Sequence, residues 1–363
     1  MNFRYKGIKC MTRNNKNGAW SRGALESVKR CPACGSIVRN GRTYTRRDNE
    51  GWMPDMWTTV GCRACGSLYL DPRPDARSLP NAYSNYFTHQ TEGDAVEKNG
   101  PIGMAWSLIH GYINWRFGMR RIPENKIGAI LFSAIEPLRL KLDYYGRHLS
   151  RSRFSHPGRL LDLGCGNGAF LARSREMGWD VVGCDPDPKA IAICREQALD
   201  AIQGNAFSDA LDGERFDVVT ISHVLEHVAD PQALLRRVYE LLQPGGLVWV
   251  ALPNPESLGL RMFGAAWRGL HVPFHLCIPS QKQLRKMVES ADFVSIKILR
   301  RGLQGPTPRK DSMAIADREN IATPPSFLTG ILFIFSDLLA TFTPRWAEET
   351  IMVAHKPEAG NAL

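Results

Sequence analysis

Three groups of residues in this 363-residue chain have the types and spacing to do chemistry. The first is a pair of knuckles, CPACG at 31–35 and CRACG at 62–66, with twenty-seven residues between the pairs. Thiolates from two tight turns suit a tetrahedral Zn²⁺ ion, so Cys31, Cys34, Cys62 and Cys65 are read as ligands of a structural zinc. Chance pairs or a redox C-x-x-C are the alternative. The second group is LLDLGCGNGAF at 160–170. An apolar run meets an acid, Asp162, then Gly164, Cys165, Gly166 and Gly168, then an apolar helical pattern. Glycines let backbone approach a ligand closely, and the helix N-terminus behind them favours anions. The third group is histidine-rich: HVLEH at 223–227, then His271 and His275. Imidazole titrates near working pH, so His271 and His275 are the best general-base candidates; two histidines that merely brace a loop are the bland reading.

These residues need elements to hold them. From 159 onward, strand and helix patterns alternate, the mark of a doubly wound, mostly parallel sheet. Strands are expected at 160–163, 180–184, 218–222, 247–252, 293–299 and 349–354, with a third strand ending at the turn Gly204-Asn205-Ala206. Helices are expected to start near Gly168, Pro188, Pro231 and Ser280. The expected domains are a basic tail (1–28), a zinc-ribbon-like module (29–88), a linker with amphipathic helices (89–158), an α/β domain (159–357) and a short tail (358–363). The ribbon strands are expected within 37–47 and 57–61. Residues 68–87 read as irregular and 90–100 as polar linker. Apolar residues recur at helical spacing from Ala105 to Met119 and from Ile127 to Tyr145, with Pro137 expected to kink the second helix. After 299 the chain is expected to wander for about forty-five residues, an insertion at about 303–345. Within it, 325–344 falls short of a membrane span and reads as a buried or interfacial helix.

Asp185 follows Asp162 by twenty-three residues, at the end of the second strand and just before Pro186, placed to accept ribose hydroxyls. The pieces LDLGCGNG, GCDPDP, FDVV, HVLEHV and LLQPGGLVWV, in that order over 159–293, resemble the class I S-adenosylmethionine-dependent methyltransferases. EETIMVAHKP looks like the reversed last strand of that seven-stranded, Rossmann-like fold. The resemblance implies S-adenosylmethionine as cofactor. Its methionine half would lie on Asp162, Gly164, Cys165, Gly166 and Gly168, its ribose on Asp185 and Pro186, and its adenine by Asn205 and Ala206. Ser222 and His223 would stand beside the sulfonium, which places His223 with His271 and His275 among candidate catalytic residues. HVLEH also mimics the H-x-x-E-H string of zinc proteases. Inside this frame Glu226 and His227 are instead expected to structure the helix start near Asp230-Pro231. The N-terminal half, CPACG…CRACGSLYLDPRP…YSNYF, looks like the zinc-binding leader of bacterial methyltransferases of sugar, polysaccharide and secondary-metabolite pathways. WRGLHVPFHL at 267–276 resembles a segment those enzymes carry after the fifth strand.

Composition narrows the setting. Hydrophobic residues make up 44% of the chain, enough for a sizeable core, and net charge is +10. Twelve Lys/Arg against three Asp/Glu in the first fifty residues supply almost all of that excess. A solvated tail, a nucleic-acid footprint or a membrane surface would each fit. Residues 1–20 have no secretory h-region, and nine scattered cysteines suit a reducing cytoplasm. Met11 is a possible alternative start. The acceptor implied is a small molecule, glycan or lipid-linked molecule methylated at oxygen. An RNA base is the alternative. Peripheral contact with the inner membrane face would come through the helices at 101–150 or 325–344, a helical cap over the domain being the other reading.

Overall fold

The computed structural model describes residues 20, 22–37, 41–48, 55–83, 101–154 and 156–360. Most of the basic tail and the polar linker at 90–100 lie outside these described residues, as do the possible start at Met11 and residues 84–87.

The chain opens with β1 (Leu25–Glu26), β2 (Thr43–Arg47), β3 (Met56–Gly61), β4 (Leu68–Leu70), β5 (Arg73–Pro74) and the short α1 (Leu79–Ala82). β2, β3 and β4 pair antiparallel, and β1 pairs with β5. The expectation of irregular chain across 68–87 fails at its start. Leu68, Tyr69 and Leu70 are all buried, so packing makes a strand of a stretch whose nearby prolines suggested none.

Three helices follow, α2 (Pro101–Phe117), α3 (Ile127–Ala134) and α4 (Glu136–Tyr145). The expected single kinked helix over 127–145 is two helices, because Ile135 leaves helical geometry at φ −100°, ψ 89°. Pro137 then sits in the first turn of α4, where its missing N–H costs nothing. α4 is tied back to α2 by Tyr112 and Arg116, both on the Asp143 carboxylate.

The α/β unit contains β6 (Arg159–Leu163), α5 (Ala169–Glu176), β7 (Asp180–Asp185), α6 (Pro188–Glu196), β8 (Asp200–Gln203), β9 (Phe216–Ser222), α7 (Pro231–Leu241) and β10 (Leu242–Pro253). It continues through α8 (Leu258–Phe263), β11 (Cys277–Ile278), α9 (Gln281–Glu289), β12 (Val294–Leu299), α10 (Thr307–Glu319), α11 (Ser326–Ala340) and β13 (Glu349–His355). Seven strands form one sheet in the order β12-β13-β10-β9-β6-β7-β8. Only β13 runs against its neighbours, as expected of the last strand. Central strands are buried on both faces, so they read as continuous apolar runs. Leu161, Val219 and Val250 join the core on one face, while Leu160, Val218 and Trp249 join the core on the other. Strand order reverses at β6, between β7 and β9. In open α/β sheets that switch point, at the carboxyl ends of the strands, is where ligands bind.

Caps set the helix starts. Asp187 accepts from Lys189 N, Asp230 from Ala233 N, and Ser280 from Gln283 N. The insertion does not wander: it is built as α10 and α11. Among the described residues no helix is long and apolar enough to cross a membrane. α11 is nevertheless not a buried helix. Phe327, Ile331, Ile334 and Phe335 stand at least half exposed, while Phe333 and Ala340 pack inward.

Candidate functional site

The two cysteine knuckles fold alike. Gly35 N–H donates to Cys31 O and Gly66 N–H to Cys62 O, each at 2.8 Å. Both glycines follow the second cysteine with positive φ, 71° and 75°, a conformation a side chain resists. The turns bring Cys31 Sγ to 3.8 Å from Cys65 Sγ and Cys34 Sγ to 3.6 Å from Cys62 Sγ. Four sulfurs around an ion at 2.3 Å would stand about 3.8 Å apart, so the quartet fits a tetrahedral metal. The module is joined to the α/β unit by more than the chain. β11 adds to β4 as a fourth strand, Ser280 Oγ donates to Cys65 O at 2.6 Å, and Gln283 Nε2 donates to Ala33 O at 2.7 Å.

At the switch point the glycine loop closes on the strand beside it. Gly164 N–H donates to Cys184 O at 2.7 Å, and a Cβ on Gly164 would lie 2.3 Å from Val224 Cγ2. Cys165 is buried in this turn, and Gly168, with φ 79°, caps α5. Gly166 N–H donates to Asp185 Oδ2 and Asp187 N–H to Asp185 Oδ1, both at 2.9 Å. Each carboxylate oxygen keeps acceptor capacity beyond its one backbone partner. Burial raises the pKa of Asp185 and the two backbone N–H groups oppose that rise. Asp162 is held by Arg147, by ion pair, and by Thr220 Oγ1 at 2.8 Å. Its other oxygen, Oδ2, is buried without a hydrogen-bond partner. A buried carboxylate oxygen left open is costly, and it suits a cationic group arriving from the loop side. Further along, Pro186 and Asn205 are exposed and Ala206 is buried. The Asn205 side-chain oxygen accepts from Phe207 N–H, and Phe207 itself is 55% exposed at this edge.

Beyond β9 the chemistry changes from backbone to side chains. Ser222 ends the strand and pairs with Ala251 of β10. His223 follows with φ 55°, a strained setting for a non-glycine residue that clusters at functional sites. Its Nδ1 lies 3.1 Å from Glu226 Oε1 and its Nε2 3.3 Å from Glu349 Oε1. Burial opposes charge on this ring, but the two carboxylates outweigh it and raise its pKa to about 10. At neutral pH His223 is therefore an imidazolium and cannot accept a proton. Burial likewise pushes Glu349 up, yet Arg301 at 2.9 Å and His223 overcome it and hold that carboxyl well below the usual range. HVLEH does not structure the start of α7: Leu225–His227 is a single 3₁₀ turn and Asp230 makes the cap.

His271 and His275 come to the same place from fifty residues downstream. Trp267 Nε1 donates to Glu348 Oε2 at 2.6 Å and Gly259 N–H to Glu348 Oε1 at 2.8 Å, which pins the 257–275 segment to β13. The His227 and His275 rings pack 4.7 Å apart, and His271 and His275 5.0 Å apart. Burial, then the neighbouring imidazoles, lowers His271 and His275 well below the ordinary histidine pKa, so both are neutral at pH 7. With His223, Arg268 and Glu349 they line a cavity of about 490 Å³ closed on its far side by α10. The structure thus brings the three expected catalytic histidines together. It adds Glu226, His227, Arg301, Glu348 and Glu349; the HVLEH and EETIMVAHKP strings contain four of these, but neither string gives Glu348 or Glu349 a chemical role. Tyr83, from the N-terminal module, reaches His227 Nδ1 at 2.9 Å.

A family model described as a methyltransferase domain matches residues 139–298. The ubiquinone biosynthesis O-methyltransferase of Cereibacter sphaeroides is 43% identical over 117 residues, 30% of this chain and 47% of that protein. The protein of that name from Azorhizobium caulinodans is 37% identical over 169 residues, 41% of this chain and 66% of its own. The chain therefore spans about half the length of the first of these curated relatives. Among solved structures, a methyltransferase from Archaeoglobus fulgidus aligns over 59% of this chain and 94% of its own, at 20% identity and TM-score 0.39.

Proposed function

This chain carries a class I S-adenosylmethionine-dependent methyltransferase domain, and from that premise we propose that it methylates a hydroxyl oxygen of a small-molecule, glycan or lipid-linked acceptor. The observation that carries this reading is the junction of the two halves of the site. Gly164 of the loop packs on Val224, next in the chain to His223, and His223 shares a cavity with the imidazoles of His227, His271 and His275. When bound, the cofactor supplies an activated methyl group on a sulfonium. The chain's own residues bind, orient and exclude water. The open Asp162 oxygen and the loop glycines receive the methionine end. Asp185, with Pro186 beside it, takes the ribose hydroxyls. Asn205 and Ala206 border the base, and Phe207 offers it a ring face. Ser222 and His223 stand between the halves, and the carboxylates of Glu226 and Glu349 offset the imidazolium so that it does not repel a second cation.

The acceptor enters the cavity, and His271 or His275, both neutral, takes the hydroxyl proton. In-line positioning supplies much of the rate, so a modest base suffices. The four cysteines hold a structural zinc that stabilises the module and, through β4 and β11, braces the 271–278 segment. The exposed apolar face of α11 supports contact with the inner membrane surface, which a lipid-linked acceptor would require. The names of the curated relatives favour a small-molecule oxygen acceptor over RNA.

The test is transfer of labelled methyl from S-adenosylmethionine to separate pools of phenolic small molecules, glycans, lipid-linked acceptors and RNA. Label in a hydroxyl-bearing small-molecule, glycan or lipid-linked pool is expected. Label in RNA alone would overturn the acceptor class, and label in none would overturn the activity.

A further inference from the structure

One cluster at the cavity has more ligand atoms than methyl transfer alone uses. Glu226 is fully buried, and only one of its oxygens is used: Oε1 pairs with His223, while Oε2 has no hydrogen-bond partner. His275 places Nδ1 2.8 Å from Gly269 O, so Nδ1 carries the proton and Nε2 turns a lone pair inward, 3.9 Å from Glu226 Oε1. His227 is held differently, its Nδ1 bonded to Tyr83 Oη at 2.9 Å. An imidazole that gives one N–H to a backbone carbonyl and leaves the other nitrogen available, as His275 does, is oriented as a metal ligand is. One ligand atom from each of Glu226, His227 and His275 lies within 4.8 Å of the others. Ligands 2.0–2.2 Å from a tetrahedral ion stand about 3.3 Å apart, so side-chain movements of about 1 Å close the set.

We propose that Glu226, His227 and His275 bind a divalent transition-metal ion, with its remaining positions open to the cavity. A purely structural hydrogen-bond cluster would use both carboxylate oxygens. This one leaves Oε2 bare in a setting where an unmet acceptor is costly. Two imidazoles and one carboxylate suit zinc, iron or manganese, and three protein ligands with an open position is the composition of a catalytic rather than a structural site. The site rests on this geometry alone. Its role rests on the function proposed above: the ion would take the acceptor hydroxyl and ease its ionisation. The O–H proton goes to His271, which is not among the three ligands. An O–CH₃ bond then forms as the S–CH₃ bond breaks, and the sulfonium leaves as a neutral thioether.

The experiment counts metal and measures its affinity on the full chain. The protein is stripped with a chelator mild enough to leave the four-cysteine ion, then titrated by calorimetry with Zn²⁺, Mn²⁺ and Mg²⁺, and analysed for total metal. About two equivalents per chain are expected after loading with Zn²⁺ or Mn²⁺, falling to about one in Glu226→Gln and His275→Gln. Affinity at the second site should weaken by at least about 100-fold in either variant and by about 10-fold in Tyr83→Phe. The remaining equivalent on the cysteines and an unchanged far-ultraviolet circular dichroism spectrum show that the variants are folded. A single equivalent in the unaltered protein under all three metals overturns the proposal, as does a second equivalent held equally well by Glu226→Gln. Neither result bears on whether methyl is transferred.

Discussion

The two halves of the site are built from different materials. On the side proposed for the cofactor, contiguous chain does the work: the loop 164–168 is shaped by glycines, and Asp185 is fixed by the N–H groups of Gly166 and Asp187. On the side proposed for the acceptor almost nothing is contiguous. Tyr83, His223, Glu226, His227, Arg268, His271, His275, Arg301 and Glu349 arrive from five stretches of chain and meet only through packing. A backbone-built site is damaged by adding atoms and a side-chain-built site by removing them.

That contrast can be broken in order of severity. Gly164→Val should have the largest effect. The new Cβ would stand 2.3 Å from Val224 at a φ of 72°, costing about 3 kcal/mol or more in urea unfolding and abolishing cofactor binding. Arg301→Met comes next. It leaves Glu349, 14% exposed, with His223 as its remaining charged partner. A loss of about 2–3 kcal/mol is expected, with little change in S-adenosylmethionine affinity; equal damage to both would blur the distinction between the halves. The pH dependence is the smallest effect. Because the folded pKa of His223 is raised to about 10 from 6.5, its contribution is complete below pH 6.5 and is lost as pH rises toward 10. Glu349 is depressed, so its contribution is present above its ordinary 4.5 and lost below it. Each arm should be worth about 1 kcal/mol for His223, whose ring is 36% exposed, and somewhat more for Glu349. His223→Asn should flatten the alkaline arm of a thermal-melt series; an unchanged arm would show that His223 is not charged.

The same contrast explains what could be read without coordinates. The strands of the parallel sheet, the helix starts at Pro188, Pro231 and Ser280, and the cysteine quartet all follow from short-range patterns: apolar runs, capping residues, C-x-x-C-G turns. His271 and His275 were visible as residue types. Their partnership with His227 was not, because it depends on the pinning of 257–275 by Glu348 and on Tyr83 from another module. α10 is not legible in the sequence because Thr307–Glu319 carries a weak apolar stripe, with only Pro308, Ser312, Ile315 and Ala316 buried. The division at Ile135 is not distinguishable from a kink in the sequence, since Pro137 allows either and the choice belongs to tertiary contacts. For Asp185 the spacing located the acid; that both its oxygens already hold backbone N–H groups is a property of the folded loop.

The central claim is that this chain holds S-adenosylmethionine at the glycine loop through Asp185. Calorimetric titration of the unaltered protein and of Asp185→Ala with S-adenosylmethionine tests it most directly. Binding is expected in the first. In the second, affinity should fall by about 10–100-fold, the loss of one to two charge-assisted hydrogen bonds, while the four-cysteine metal content stays constant. Equal affinity in the two proteins, or no binding in the first, would contradict the account.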